Sequence, residues 1–148
     1  MEPFPHHYAA TAFADLEGDV AVDTKGSPRL ASAPPAEFGG PGNRWSPETL
    51  LVAAVADCFV LTFRAIAAVS KVPWISLNCE VAGTLDKVDR VTQFTGFVVR
   101  ARLLVAPEMN KEQAVRLLTR AEQTCLVTNS LKAKCQLEVS VETAPPSP

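Results

Sequence analysis

Four cysteines are the residues of this chain best suited to chemistry: Cys58, Cys79, Cys125 and Cys135. A thiol can ligate a metal, form half of a disulfide, act as a nucleophile, or fill space as a small apolar group. Spacing narrows these roles. No two cysteines form a Cys-x-x-Cys pair, and the only histidines, His6 and His7, lie together at the N-terminus, far from every cysteine in sequence. A structural zinc site is therefore not expected. Four thiols in 148 residues are also too few for a secreted disulfide scaffold.

Composition sets the remaining bounds. Hydrophobic residues make up 47% and charged residues 20%, the balance of a globular chain that can bury a core. One domain over 1–148 is the expectation. Fourteen basic and sixteen acidic residues give a net charge of −2 without long runs of like charge, so no nucleic-acid partner is expected. The opening Met-Glu-Pro-Phe-Pro-His-His has neither a basic region nor an apolar core, which argues against a signal peptide. A cytoplasmic location, where thiols stay reduced, follows as the expectation. Leu50 to Val69 imitates a membrane span, but Asp57 and Arg64 would each cost about 2.5–3.5 kcal/mol at mid-bilayer, so a buried helix and no membrane partner are expected.

The elements that position the thiols follow from pattern. Tyr8 to Phe13 and Val20 to Val22 read as short strands. Residues 26–45 hold Pro28, Pro34, Pro35, Gly39, Gly40, Pro41 and Gly42 and read as a long loop. Ser46-Pro47-Glu48 carries a cap, a first-turn proline and a first-turn acid, and opens a helix running to about Ser70. This helix is apolar on nearly every side, which predicts cover by other elements or by a second subunit. A hairpin follows over Ile75 to Val105, turning near Lys87–Arg90. Asn110 caps a second helix to about Glu122, and Cys125–Leu131 forms a short third. A strand over Cys135–Glu142 and a Pro-rich tail over 144–148 end the chain. The fold class is α+β, with antiparallel sheets.

Period-two alternation puts Cys79 and Cys135 on apolar strand faces, where a free thiol packs as a hydrophobe. Cys58 lies midway along the long helix and Cys125 at the start of a helical turn, where a dipole favours thiolate. Taken alone, each of these two reads as a packing residue or as a reactive one. Trp45 and Trp74 flank the long helix as packing anchors, and Trp45 also stands where it could line a pocket.

Ser46-Pro47-Glu48-x-Leu50, then Ala53-Ala54 and Asp57-Cys58-Phe59, resembles the signature around the first cysteine of the OsmC/Ohr family. Glu48 precedes Cys58 by ten residues, as in that family. Cys125-Leu-Val-Thr-Asn-Ser-Leu131 is similar to the second cysteine block, with Leu126 where proline is usual, and Gly39-Gly40-Pro41-Gly42 resembles the glycine-rich approach to the helix. The resemblance implies an OsmC-like fold: an intertwined homodimer with antiparallel sheets wrapped around long central helices. It implies thiol-dependent reduction of small apolar organic hydroperoxides. Cys58 would be the peroxidatic and Cys125 the resolving residue, with an external dithiol reductant (dihydrolipoamide in the family) and no metal or flavin cofactor.

The same resemblance gives Glu48 and an arginine an electrostatic role at the thiol. Ten helical residues span about 15 Å, so Glu48 would serve the partner subunit's thiol. Family peroxidases take the arginine from the N-terminal part, yet residues 1–28 contain none. The candidates are Arg29, in a loop able to fold over the site, and Arg44, close enough in sequence to pair with Glu48. The alternative function on the same fold is a small apolar ligand-binding or redox-sensing protein without efficient turnover.

Overall fold

The computed structural model describes residues 1–147 and forms two compact units, Met1–Leu51 and a second from Val52 onward. The first holds a three-stranded antiparallel sheet of β1 (Thr11–Phe13), β2 (Val20–Asp23) and β3 (Leu30–Ser32), in that order. β3 and a single 3-10 turn at Ala36–Phe38 lie inside the stretch read from sequence as loop. Three extended residues among prolines and glycines carry too little alternation to announce a strand. The chain then returns to the sheet: Ser32 bridges Trp45, and the Ala33 N–H donates to the Trp45 carbonyl at 2.8 Å.

α1 spans Pro47–Ser70. Its start is fixed as expected, since the Thr49 N–H donates to Ser46 Oγ at 3.1 Å while the Ser46 N–H donates to Thr49 Oγ1 at 2.9 Å. Lys71, at φ 53°, leaves the helical conformation, and Pro73 bars its resumption.

The second unit is a sheet in the order β4 (Trp74–Val88), β5 (Val91–Val105), β6 (Lys134–Thr143), with α2 (Lys111–Thr124) and α3 (Leu126–Asn129) between the last two strands. β4 and β5 join through Asp89 and Arg90 at φ 49° and 69°, the paired left-handed conformation that suits the twist of a two-residue hairpin. β6 lies parallel to β5, so the antiparallel sheet expected here is mixed. The reason is the crossover: α2 and α3 carry the chain back to the same end of the sheet, as parallel neighbours require. Asn110 caps α2 as expected, its Oδ1 accepting from the Gln113 N–H at 3.1 Å. Of the tail expected over 144–148, Ala144 still donates to the Val105 carbonyl at 2.9 Å, and Pro148 lies outside the described residues.

The core of this unit joins one stripe of α1 to one face of the sheet. Val55, Phe59, Phe63 and Ala67 recur every fourth residue and are buried, as are Phe97, Val99, Ala101, Leu103 and Val105 at alternate positions of β5. α1 packs against β4. Phe63 meets Trp74 edge-on with ring centroids 5.3 Å apart, and Val52 lies so near Gly83 that a Cβ there would stand 3.0 Å from its Cγ2. Outside its buried stripe α1 is open in the single chain, with Leu61 52% and Val69 86% exposed. Replacing Phe63 by alanine removes the ring that joins α1 to Trp74. We expect a loss of about 3–5 kcal/mol in urea unfolding and a red shift of Trp74 fluorescence; an unchanged midpoint would contradict this packing.

Candidate functional site

Cys58 occupies the position before Phe59 and is therefore turned about 100° from the buried stripe of α1, at the edge of the core. Its thiol is half-buried, with Thr62 Oγ1, one turn on, at 3.9 Å from Sγ. Asp57, its neighbour in sequence, is exposed.

Cys125 is the residue at which α2 ends and α3 begins. Its backbone is extended (φ −64°, ψ 110°), its N–H donates to the Glu122 carbonyl, and its carbonyl accepts from Thr128 Oγ1 at 3.1 Å. The side chain is 1% exposed. Although 67 residues separate them in sequence, Cys58 lies close enough to Cys125 to act on its thiol. Both are free thiols. Burial pushes the Cys125 thiol above its ordinary range, and the hydrogen bond and charge of Cys58 act in the same direction. Hydrogen bonds from Thr128 oppose the rise without reversing it. This corrects the expectation that a helix start favours thiolate at Cys125. α3 has four residues and little dipole, and desolvation outweighs it.

Cys79 and Cys135 sit on the inner face of the sheet, as alternation predicted: Cys79 faces Ala101 across β4 and β5, and Cys135 faces Phe97 across β6 and β5. Both also lie within electrostatic reach of Cys125, which alternation along a strand does not reveal. Burial, then the charges of Cys125 and Cys135, pushes Cys79 up to about 11. Burial also raises Cys135, followed by Glu122 and Cys125. Among the described residues no group of three or more His, Cys, Asp or Glu side chains could hold a metal ion.

The remaining candidates lie in the first unit. Glu48 stands in the first turn of α1, and its Oε2 is buried with no hydrogen-bond partner among the described residues. Such an orphan acceptor costs about 1–3 kcal/mol until something pairs with it. Arg44 does not supply that partner, contrary to expectation: its Nε donates to Asp19 Oδ2 at 2.7 Å and its Nη1 to the Asn43 carbonyl at 3.2 Å. Asp19, in the turn before β2, reaches Arg44 first. Arg29 forms a forked pair with Asp23, with Nε at 3.0 Å and Nη2 at 2.9 Å from Oδ2. Trp45 lines a cavity with both arginines, and that cavity does not include Cys58.

The raised Cys79 has a consequence for stability. Below pH 9 the thiol is protonated whether the chain is folded or not. Above its ordinary value of 9.0 the unfolded chain releases the proton first, so stability is lost as pH rises toward about 11. We expect the thermal midpoint to fall over that window by less in Cys79→Ala than in the parent; equal falls would remove Cys79 as a contributor.

Residues 40–140 match the family described as OsmC-like protein. The chain is 23% identical over 142 residues to the uncharacterised protein YmaD of Bacillus subtilis, covering 93% of this chain and 95% of that one. It is 27% identical over 135 residues to an organic hydroperoxide resistance protein of Xanthomonas axonopodis pv. citri, covering 89% and 91%. Among solved structures, an OsmC-like protein of unknown function from Vibrio cholerae shares the fold with a TM-score of 0.85 at 18% identity, over 92% of this chain and 100% of that one. An organic hydroperoxide resistance protein OsmC from Legionella pneumophila superposes with a TM-score of 0.73 at 26% identity, over 95% and 99%. The paired cysteines, the element order and the match over residues 40–140 together place this chain in the OsmC family.

Proposed function

We propose that this protein is a cytoplasmic thiol peroxidase that reduces small apolar organic hydroperoxides, with Cys58 as the peroxidatic residue and Cys125 as the resolving one. The observation that carries the reading is that two free thiols from separate elements, Cys58 and Cys125, lie close enough for one to act on the other. The kinship with organic hydroperoxide resistance proteins supports it.

The steps balance without a metal or flavin. The Cys58 thiolate attacks the terminal oxygen of R–O–O–H, the O–O bond breaks, and the alkoxide takes a proton to leave as alcohol. Cys58 becomes a sulfenic acid. The Cys125 sulfur then attacks the Cys58 sulfur, hydroxide leaves, and the Cys125 proton joins it as water. A disulfide remains. An external dithiol, of which dihydrolipoamide is the expected example, takes up the oxidation and restores both thiols. Burial keeps Cys125 protonated while it waits, so it acts first as an S–H donor toward Cys58 and only later as a nucleophile. Val60 beside the reactive turn and the buried Phe59 and Phe63 around it make an apolar setting that suits an alkyl or aryl hydroperoxide better than hydrogen peroxide.

A homodimer completes this reading. α1 has a mean hydropathy of 2.0 over its most apolar window, of which only 22% is buried in the single chain. Packing that face against a second copy removes it from water. The orphan Oε2 of Glu48 supports a role for this carboxylate in the electrostatic frame of a thiol, that of the partner subunit, with Arg44 or Arg29 as the cation. A second reading keeps fold and thiols but drops turnover, making the protein a ligand-binding or redox-sensing relative. It is favoured by the pairing of both arginines with aspartates, which leaves neither fully free to hold a peroxide.

One titration with cumene hydroperoxide separates these readings. We expect a Cys58–Cys125 disulfide by peptide mass mapping at one equivalent of peroxide, with sustained consumption when dithiol is supplied. Cys58→Ser should lose consumption by at least a hundredfold. Cys125→Ser should consume a single equivalent and leave a sulfenic acid on Cys58 that reacts with dimedone. Consumption by Cys58→Ser at the parental rate would overturn the peroxidase. Light scattering should give twice the 15.9 kDa of one chain, and a monomer would remove the shared-site role of Glu48.

A further inference from the structure

The first unit contains an open hollow of about 590 Å³ that no cysteine lines. Its walls are Leu30 of β3, Arg29 just before it, and Asn43, Arg44 and Trp45 of the segment leading into α1, with Thr49 at the helix start. The frame is fixed by bonds already described. Ser32 and Ala33 hold the Trp45 backbone against β3, and the reciprocal Ser46–Thr49 cap holds the helix start. The indole of Trp45 is held open to solvent at 45% exposure, beside the apolar side chain of Leu30.

Two guanidinium groups share this cavity, each steadied from behind by one aspartate. Arg29 spends Nε and Nη2 on Asp23, and Arg44 spends Nε on Asp19 and Nη1 on the Asn43 carbonyl. Nη1 of Arg29 and Nη2 of Arg44 have no partner among the described residues. Two cations against two aspartates leave the rim near neutral, which suits a monoanion better than a doubly charged phosphate. Pre-held guanidinium forks match a carboxylate, and an open indole face matches a flat ring. The volume lies in the range of small-molecule sites, about 300–1,000 Å³.

We infer that this cavity is a binding site for a small aromatic carboxylate, its acid group held between Arg29 and Arg44 and its ring laid on Trp45. Its two arginines are also the cations proposed for the partner subunit's thiol, so the inference deepens that reading; no cysteine of this chain lines the site, and binding is read apart from turnover.

The test uses the full-length protein with Trp74→Phe, which leaves Trp45 as the one fluorophore of its type, and 4-nitrobenzoate as the probe. We expect saturable quenching with one site per chain by calorimetry. Affinity should fall at least tenfold in Arg29→Gln/Asp23→Asn and in Arg44→Gln/Asp19→Asn, double changes that remove each ion pair whole and keep the net charge. 4-Nitrobenzamide, without the negative charge, and cyclohexanecarboxylate, without the flat ring, should each bind at least tenfold more weakly. Cys58→Ser should bind as the parent does, whatever becomes of its peroxidase activity. Quenching that does not saturate, or that persists unchanged in both double variants, overturns the site. Equal binding of the amide overturns the carboxylate, and equal binding of the saturated acid overturns the aromatic part.

Discussion

Everything in the second unit depends on how one helix is seated on one sheet. Val55, Phe59, Phe63 and Ala67 make a stripe that repeats every four residues and lies in the core, facing side chains that alternate along β5. A four-residue step slightly exceeds the helical repeat of 3.6, so the stripe winds slowly and stays narrow. Residues beside it fall at the margin of the core. Cys58 and Thr62 occupy that margin, next to Phe59 and Phe63 respectively. A thiol in the stripe itself would be sealed, and one on the opposite side would be far from the sheet. Gly83 extends the same logic to β4, because any side chain there would stand within 3.0 Å of Val52 and of two phenylalanine rings.

Charge is distributed differently from the thiols. Cys79, Cys125 and Cys135 are all held toward the neutral thiol, chiefly by burial. The cations with candidate roles, Arg29 and Arg44, belong to the first unit and are each compensated by an aspartate of the same unit. Such exposed pairs contribute little to stability, about 0–1 kcal/mol each, and are easily exchanged for another anion. Among the described residues, Oε2 of Glu48 is the one buried side-chain oxygen without a partner. The chain therefore supplies thiols, an orphan carboxylate and two exchangeable arginines, all on elements whose backbone is tied down.

Much of this was legible in the residues. Ser46 and Pro47 mark the start of α1, and Lys71-Val72-Pro73 marks its end just after Ser70, the bounds observed. Alternation put Cys79 and Cys135 on the faces they occupy. The direction of β6 was not legible, because alternation is blind to strand polarity and only the crossover through α2 decides it. β3 was hidden by its length and by the prolines around it. The nearness of Cys58 to Cys125 has no local signature, since it spans two elements and 67 residues, and only the family resemblance pointed to it. The wrong inference about Cys125 came from weighing a helix dipole without knowing the burial. The partner of Arg44 was missed because proximity in sequence favoured Glu48, and that of Arg29 because it was read as part of a loop over the site, whereas the turn before β2 and the end of β2 bring Asp19 and Asp23 closer.

The break in the helical ladder at Cys125 bears on how the chain would tolerate a covalent bond there. Two helices meet at this residue in an extended conformation, so its backbone torsions are not locked by ladders on both sides. Closing two neighbouring thiols to a sulfur–sulfur bond of about 2.05 Å would then ask for rotation at one joint, not for the unwinding of a turn. On the other side Cys58 is embedded in 24 residues of continuous helix and has almost no freedom to move. The mechanical work of an oxidation cycle would fall on the short arm, α3, while the long helix serves as the anvil. A fold arranged this way can cycle between dithiol and disulfide with its core undisturbed, and the trace of each cycle would be a small swing of residues 126–129.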